Sequence, residues 1–229
     1  MTVHRFFVDP GDASGDRFPL PASINRQVRS VLRLRDGDRI VVLTGDGTEL
    51  HCLIDGSACV VEDRRPAIGE PAHRLTVVQA LLKGDGLEQV IQRGTEVGVA
   101  AFRLVVTERC VVRELSARKL DRLRAVARES AEQSERAIVP PVSAPVALAE
   151  ALEPGSVLLF EREAGARLQR LDPPPAVVIG PEGGFSTAEV EAARAAGMAV
   201  AGLGPRILRA PTVAPAVAAA ILSRTGDFA

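Results

Sequence analysis

The stretch that most limits what this chain can fold into is Val177-Val178-Ile179-Gly180-Pro181-Glu182-Gly183-Gly184-Phe185-Ser186. Three β-branched apolar residues predict a short buried strand, and three glycines around Pro181 and Glu182 predict a tight loop after it. Ser186-Thr187-Ala188-Glu189 has the spacing of a capping box, in which Ser186 caps a helix and Glu189 reaches back to it. In open α/β sheets ligands bind beyond the carboxyl ends of strands, at turns of this strand-to-helix kind. Glycine there admits φ > 0 and a close approach of backbone groups to a ligand. The loop is not a phosphate cradle of the usual sort: neither GxxxxGK[ST] nor GxGxxG is present, and Glu182 suits a neutral or cationic ligand better. Read alone, the run also fits a tight turn that holds nothing.

Met198-Ala199-Val200-Ala201-Gly202 predicts a second apolar strand, and Leu203-Gly204-Pro205-Arg206-Ile207-Leu208-Arg209 leads from it toward a long apolar helix. Two Gly-Pro turns, each after a strand and before a helix, point to two loops lining one pocket. Arg206 and Arg209 lie three apart near a helix start, where positive charge opposes the macrodipole. They are accounted for if they face a carboxylate or a phosphate; as two solvated arginines they need no ligand.

These two loops, GPEGGFS at 180–186 and LGPRILR at 203–209, resemble the signature loops of the RsmE family, SPOUT-type knotted methyltransferases that act on N3 of a uridine in 16S ribosomal RNA. The likeness runs along nearly the whole chain, through Arg5-Phe6-Phe7-Val8, Val31-Leu32-Arg33-Leu34 with Gly37-Asp38, and Lys83-Gly84-Asp85. It continues through 91–99, Glu108-Arg109-Cys110, 131–136 with Pro140, and the closing Arg224-Thr225-Gly226-Asp227-Phe228. The resemblance implies an α/β knot domain with a parallel sheet, preceded by a small PUA-like RNA-binding β-barrel. It also implies a homodimer whose substrate is 16S ribosomal RNA of the small ribosomal subunit. S-adenosylmethionine would lie in a cleft lined by three segments: Phe160 and Glu161; Gly180, Pro181, Glu182, Gly183 and Gly184; and Leu203, Gly204, Arg206, Ile207 and Leu208.

With 229 residues the chain has room for one large domain or two modest ones, and 46 % hydrophobic residues suffice for a core. Aromatics make up only 3 %, so aliphatic side chains must fill it. A formal net charge of −1 gives no global argument for nucleic acid, so any RNA contact must come from local patches. Cys52, Cys59 and Cys110 have no CxxC spacing and read as free thiols in a reducing compartment. The three histidines make no metal site with them. No apolar run approaches membrane-spanning length and the N-terminus has no signal-peptide pattern, so a soluble, cytoplasmic protein is expected.

Residues 1–70 have a β character, with short strands expected at 5–8, 39–43, 49–54 and 58–62, separated by Gly/Asp turns that predict hairpins in a small barrel. One helical patch intervenes, with Ile24, Val28, Val31 and Leu32 on its apolar face. Arg26, Arg29 and Arg33, with Arg35 beyond, make the candidate RNA-binding stripe, since the arginine fork donates two parallel hydrogen bonds to phosphate. A solvated face partly neutralised by Asp36 and Asp38 is the competing reading. Residues 65–71 read as a linker, and from 72 to 229 strands and helices alternate, the signature of an α/β domain with a parallel sheet. Thr212 is expected to cap the last helix, with Pro215 in its first turn.

The reaction implied is methyl transfer to a ring nitrogen that carries a proton, so a base or an anion stabiliser is required. Arg209, Glu182 and Arg136 are the catalytic candidates, with Glu96 and Glu132 as further carboxylates. No metal is called for. Where the family continues with Thr-Glu-Thr, this chain has Ala210-Pro211-Thr212, placing proline at the acidic position. A non-catalytic RNA-binding or assembly protein on the same fold is therefore the alternative. A nucleotide-dependent oxidoreductase lacks its dinucleotide fingerprint.

Overall fold

The computed structural model describes residues 3–67, 69–161, 163 and 166–228; Ile68 of the expected linker lies outside them. The chain forms two compact units, one of Met1–Glu70 with Ala131–Val139 and the other of Pro71–Ser130 with Pro140–Ala229.

The first unit contains β1 (His4–Phe7), β2 (Arg17–Pro19), α1 (Ala22–Arg26) continued by one π-helical turn (Gln27–Val31), β3 (Arg39–Leu43), β4 (Thr48–Asp55) and β5 (Ala58–Pro66). Its sheet has the order β1-β3-β4-β5-β2, with β1 parallel to β3 and the other pairs antiparallel. The β3–β4 turn is fixed locally. The Asp46 carboxylate accepts from Thr44 Oγ1 and from Thr48 N, each at 2.8 Å, between Gly45 and Gly47 at φ 80° and 91°. Strand alternation sends Phe6, Ile40, Val42, Leu50, Cys52 and Ile54 into one cluster, closed by Val28 and half-buried Leu32. The opposite face, Phe7, Val41 and Leu43, packs with Ala131 and Ala137.

That second face explains why residues 131–139 belong here, whereas the sequence led us to expect a continuous 1–70. Polar groups fasten the segment too. Phe7 N donates to Glu132 Oε1 at 3.1 Å, and Arg5 bridges Glu49 at 2.7 Å and Glu135 at 3.2 Å. Val31, placed by sequence on the apolar face, is 69 % exposed. The helix widens to π geometry over Gln27–Val31, which shifts the angular position of each later side chain and turns Val31 outward.

The second unit contains β6 (Thr76–Ala80), α2 (Gly86–Glu96), β7 (Ala101–Val106), α3 (Ala117–Gln133, its last three residues counted with the first unit), β8 (Val146–Ala147), β9 (Val157–Leu159), β10 (Ala176–Ile179), α4 (Thr187–Ala195), β11 (Ala199–Ala201) and α5 (Ala210–Leu222). The sheet order is β11-β9-β10-β6-β7-β8, and every pairing is parallel. β6, β9 and β10 are almost wholly buried; β9 and β10 are unbroken apolar runs, and β6 is apolar but for Thr76 and Gln79. The chain runs outward from β6 to β7 and β8, then crosses back to β9 on the other side, so the winding reverses between β6 and β10. A reversal of that kind opens a crevice at the carboxyl ends of the strands.

Helix placement follows from small residues and caps. A Cβ on Gly94 of α2 would lie 2.8 Å from the Phe102 ring, so glycine lets α2 ride close on β7. The capping box on α4 is present: Ser186 N donates to Glu189 Oε2 at 2.9 Å and Glu189 N to Ser186 Oγ at 3.4 Å. The last helix starts earlier than expected. Arg209, not Thr212, is its N-cap residue, and Pro211 occupies the second helical position, where no intrahelical N–H bond is lost. Pro215 therefore falls inside the helix rather than in its first turn. Among the described residues no helix is long and apolar enough to cross a membrane, and no group of three His, Cys, Asp or Glu side chains is placed to hold a metal. All three cysteines are buried and free.

Candidate active site

A recess of about 860 Å³ opens at the carboxyl ends of β6, β9, β10 and β11. Its walls are the segments that leave those strands: Lys83, Asp85 and Gly86 with Gln89, Leu159 to Glu161, Ile179 to Phe185, and Leu203 with Gly204 followed by Arg206 to Val213. The volume lies within the roughly 300–1,000 Å³ of small-molecule sites. Lys83, Arg206 and Arg209 stand against Asp85, Glu161 and Glu182, so neither sign dominates the lining.

Backbone packing dictates the glycines. At Gly180 a Cβ would sit 3.1 Å from the Phe185 ring, and at Gly183 it would sit 3.1 Å from Arg109 Cβ. Gly184 combines φ 67° with the Glu161 carboxylate 3.2 Å from where its Cβ would be. At the end of β11, a Cβ on Gly202 would lie 2.7 Å from the Glu163 carbonyl oxygen, and Gly202 N donates to Ala166 O at 2.9 Å, fastening the β9 loop to that strand.

Three polar ties hold the 180–189 segment to its neighbours. Lys83 N donates to Glu182 Oε1 at 3.1 Å, Arg109 Nη1 donates to Gly183 O at 3.0 Å, and Glu108 N donates to Glu189 Oε1 at 2.7 Å. Glu189 thus serves the helix cap with one oxygen and the β7–α3 loop with the other. From below, the fully buried Gln79 donates to Ala80 O at 3.0 Å and reaches toward Gly180 O at 3.5 Å. The loop is held in shape before any ligand arrives, which is the condition for low-cost binding.

Every residue that the family likeness assigned to the cofactor lines this single recess, as do Arg209 and Glu182. The structure does not bring Arg136 there. Its side chain is 3 % exposed and pairs through Nη2 with Glu70 Oε2 at 2.7 Å, within the first unit. Glu70 Oε1 also accepts from Ala137 N and Ile138 N, at 3.1 and 3.0 Å. Arg136 is buried with its counterion supplied and does not line the recess. Glu132 is likewise engaged with Phe7 N, and exposed Glu96 lies on α2 outside the lining. Of the arginine stripe, Arg26, Arg33 and Arg35 are exposed, whereas Arg29 bonds Leu34 O at 3.0 Å and pairs with Asp36. Its guanidinium holds the Asp36 carboxyl below the usual aspartate range.

Sequence reasoning missed the β6–α2 wall of Lys83, Asp85 and Gln89 as part of the site. The signal was present: a polar Lys-Gly-Asp triplet separated by two residues from the mostly apolar β6, at the carboxyl edge of the sheet.

A family model described as an RNA methyltransferase domain matches residues 69–223. A ribosomal RNA small subunit methyltransferase E of Synechocystis is 37 % identical, over 96 % of this chain and 77 % of that protein. The protein of the same name from Mycobacterium tuberculosis is 32 % identical over 96 % of this chain and 92 % of its own length. Among solved structures, the ribosomal RNA small subunit methyltransferase E of Neisseria gonorrhoeae bound to S-adenosyl methionine superposes with TM-score 0.89 at 28 % identity, covering 97 % of this chain and 98 % of that one. A putative methyltransferase of Legionella pneumophila in complex with the same cofactor gives TM-score 0.86 at 25 % identity, over 98 % of both chains.

Proposed function

The chain belongs to the ribosomal RNA small subunit methyltransferase E family, and from that premise we propose that it methylates N3 of a uridine in 16S ribosomal RNA, using S-adenosylmethionine. The observation that carries the reading is the convergence of three separate loops, after β9, β10 and β11, on one recess of ligand size. S-adenosylmethionine supplies an electrophilic methyl group on a positively charged sulfur. The recess suits such a group: Glu161 and Glu182 offer negative charge, and glycine-rich backbone offers amide and carbonyl groups with no side chain in the way.

The chain's own residues then have distinct tasks. Backbone groups of the 180–184 and 203–208 segments read the cofactor's adenine edge and hold its orientation. Glu182, anchored on Lys83 N, fixes the height of the glycine-rich loop. Arg209, exposed at the recess and without an ion-pair partner among the described residues, stabilises negative charge arising on the uracil carbonyl oxygens. Positioning of the two reactants in line accounts for a large share of the rate. On the first unit Arg26, Arg33 and Arg35 contact RNA phosphates; their exposure supports this. In the same reading the first unit is a PUA-like domain, the second carries the trefoil knot, and the enzyme is a cytoplasmic homodimer.

The test is to map N3-methyluridine in small-subunit ribosomal RNA from cells with and without the gene, and to restore the mark with purified protein and S-adenosylmethionine. An unchanged mark would remove the assignment. Pro211 in the recess favours one second reading, RNA binding without transfer. Titration calorimetry with S-adenosylmethionine separates the two, since only the enzyme gives a saturable heat.

A further inference from the structure

The recess has one wall for which the cofactor assignment has no use, the turn from β6 into α2 that presents Lys83, Asp85 and Gln89. Asp85 occupies the N-cap position of α2, yet its side chain makes no capping bond. An aspartate so placed ordinarily gains about 1 kcal/mol by accepting from the first-turn amides. Here it accepts instead from Gln89 Nε2 at 2.9 Å, and has no other side-chain partner among the described residues. Of the carboxylates in the recess, Glu182 is committed to a backbone amide, Lys83 N, whereas Asp85 is held by another recess side chain, Gln89. Lys83 contributes its backbone N–H to Glu182, while its exposed ammonium has no ion-pair partner among the described residues.

The three side chains make a donor, an acceptor and a donor. Lys83 can only donate, and ionised Asp85 can only accept. The Gln89 amide must turn its nitrogen toward the carboxylate, and that nitrogen keeps a second hydrogen to give. Uracil's pairing edge is the complement: O4 accepts, N3–H donates, O2 accepts. Cytosine would set a lone pair at N3 against the carboxylate and an amino group against the ammonium.

Resting on the proposed uridine-N3 activity, we infer that Asp85 is the catalytic base that takes the N3 proton, and that Lys83 and Gln89 read the two uracil oxygens and so select uracil over cytosine. The N3 proton passes to the Asp85 carboxylate. The nitrogen pair so released forms the bond to the methyl carbon, while the pair of the breaking carbon–sulfur bond stays on sulfur, and the protonated carboxyl returns its proton to water. The positive end of α2 next to this wall favours the negative charge that develops on the uracil as the proton leaves.

The experiment compares wild type with Asp85→Asn, which keeps size and hydrogen bonding but cannot take the proton. Cofactor affinity by calorimetry is expected to change less than threefold, showing a folded recess. Turnover on a target-strand RNA is expected to fall about 100- to 10,000-fold, the range for loss of a general base. Placing 5-fluorouridine at the target, whose N3 proton is more acidic, should recover at least tenfold of that loss. Without cofactor, fluorescence anisotropy should show wild type binding the uridine strand at least tenfold tighter than the same strand with cytidine at the target, with the preference reduced in Lys83→Met. Turnover of Asp85→Asn within threefold of wild type, absence of 5-fluorouridine rescue, or equal binding of the two strands by wild type would each overturn the inference. Failure of wild type to methylate any small-subunit RNA is a different result, and would remove the uridine-N3 reading and this one with it.

Discussion

Arginine sits in two different situations in this chain, and its surroundings decide its part each time. Arg136 is buried with a carboxylate at 2.7 Å, so removing its charge strands Glu70 in a part-buried site. Arg136→Ala should cost about 3 kcal/mol, read as a lowered urea midpoint, while S-adenosylmethionine affinity of the folded protein moves less than twofold. Arg209 stands in the recess without an ion-pair partner among the described residues, so Arg209→Ala should cut turnover at least tenfold and leave cofactor affinity within twofold; an equal loss of both would oppose its role as an anion stabiliser. Glu182 differs from both because its oxygen is bonded to a backbone amide. Glu182→Gln keeps an acceptor there, and Glu182→Ala removes it. The alanine variant should bind cofactor about tenfold more weakly, in line with ~1.5 kcal/mol for a charge-assisted hydrogen bond, and the glutamine variant should fall between it and wild type.

At the scale of single elements, local sequence was informative wherever one physical rule acted alone. The α4 cap is such a case, and Ser186→Ala should lower stability by about 1 kcal/mol by thermal or denaturant melting, with α4 opening first in hydrogen exchange. Buried strands such as β10 and the glycine loop behind it were equally legible, because apolar runs and closely packed glycines leave few alternatives. What escaped were elements whose structure is set from a distance. β2 is three residues, one of them buried and one a proline, and exists because it pairs with β5. β8 is two residues laid beside β7. Val31 has the spacing of a core residue but follows a π turn that no local pattern announces. The start of α5 was misplaced because Thr212 looks like a cap, whereas Pro211 fits inside the first turn. The β6–α2 wall escaped for another reason: nothing in Lys83, Asp85 or Gln89 tells from sequence that the sheet reverses beside them.

For the whole molecule, several carboxyls are held below their ordinary range: Asp36 by Arg29, Asp46 by the Thr44 hydroxyl, Asp63 by Arg65 and Glu88 by Lys119. A depressed folded-state value gives stability that is complete above the unfolded value, near 4, and is lost as pH falls through the lower folded value. The melting temperature should therefore be flat between about pH 6 and 5 and decline below about pH 4. Because these groups are solvated, added salt should shrink the decline. The second property of the whole is connectivity. The backbone passes between the two units at 70–71, at 130–131 and at 139–140. A gene fragment ending at residue 70 would encode a sheet whose Phe7, Val41 and Leu43 face lacks its cover, and a chain shortened to begin at 71 would carry Arg136 without its counterion. A protease nick at the first junction would leave the pieces interleaved rather than released, so neither half of this sequence is a transferable part.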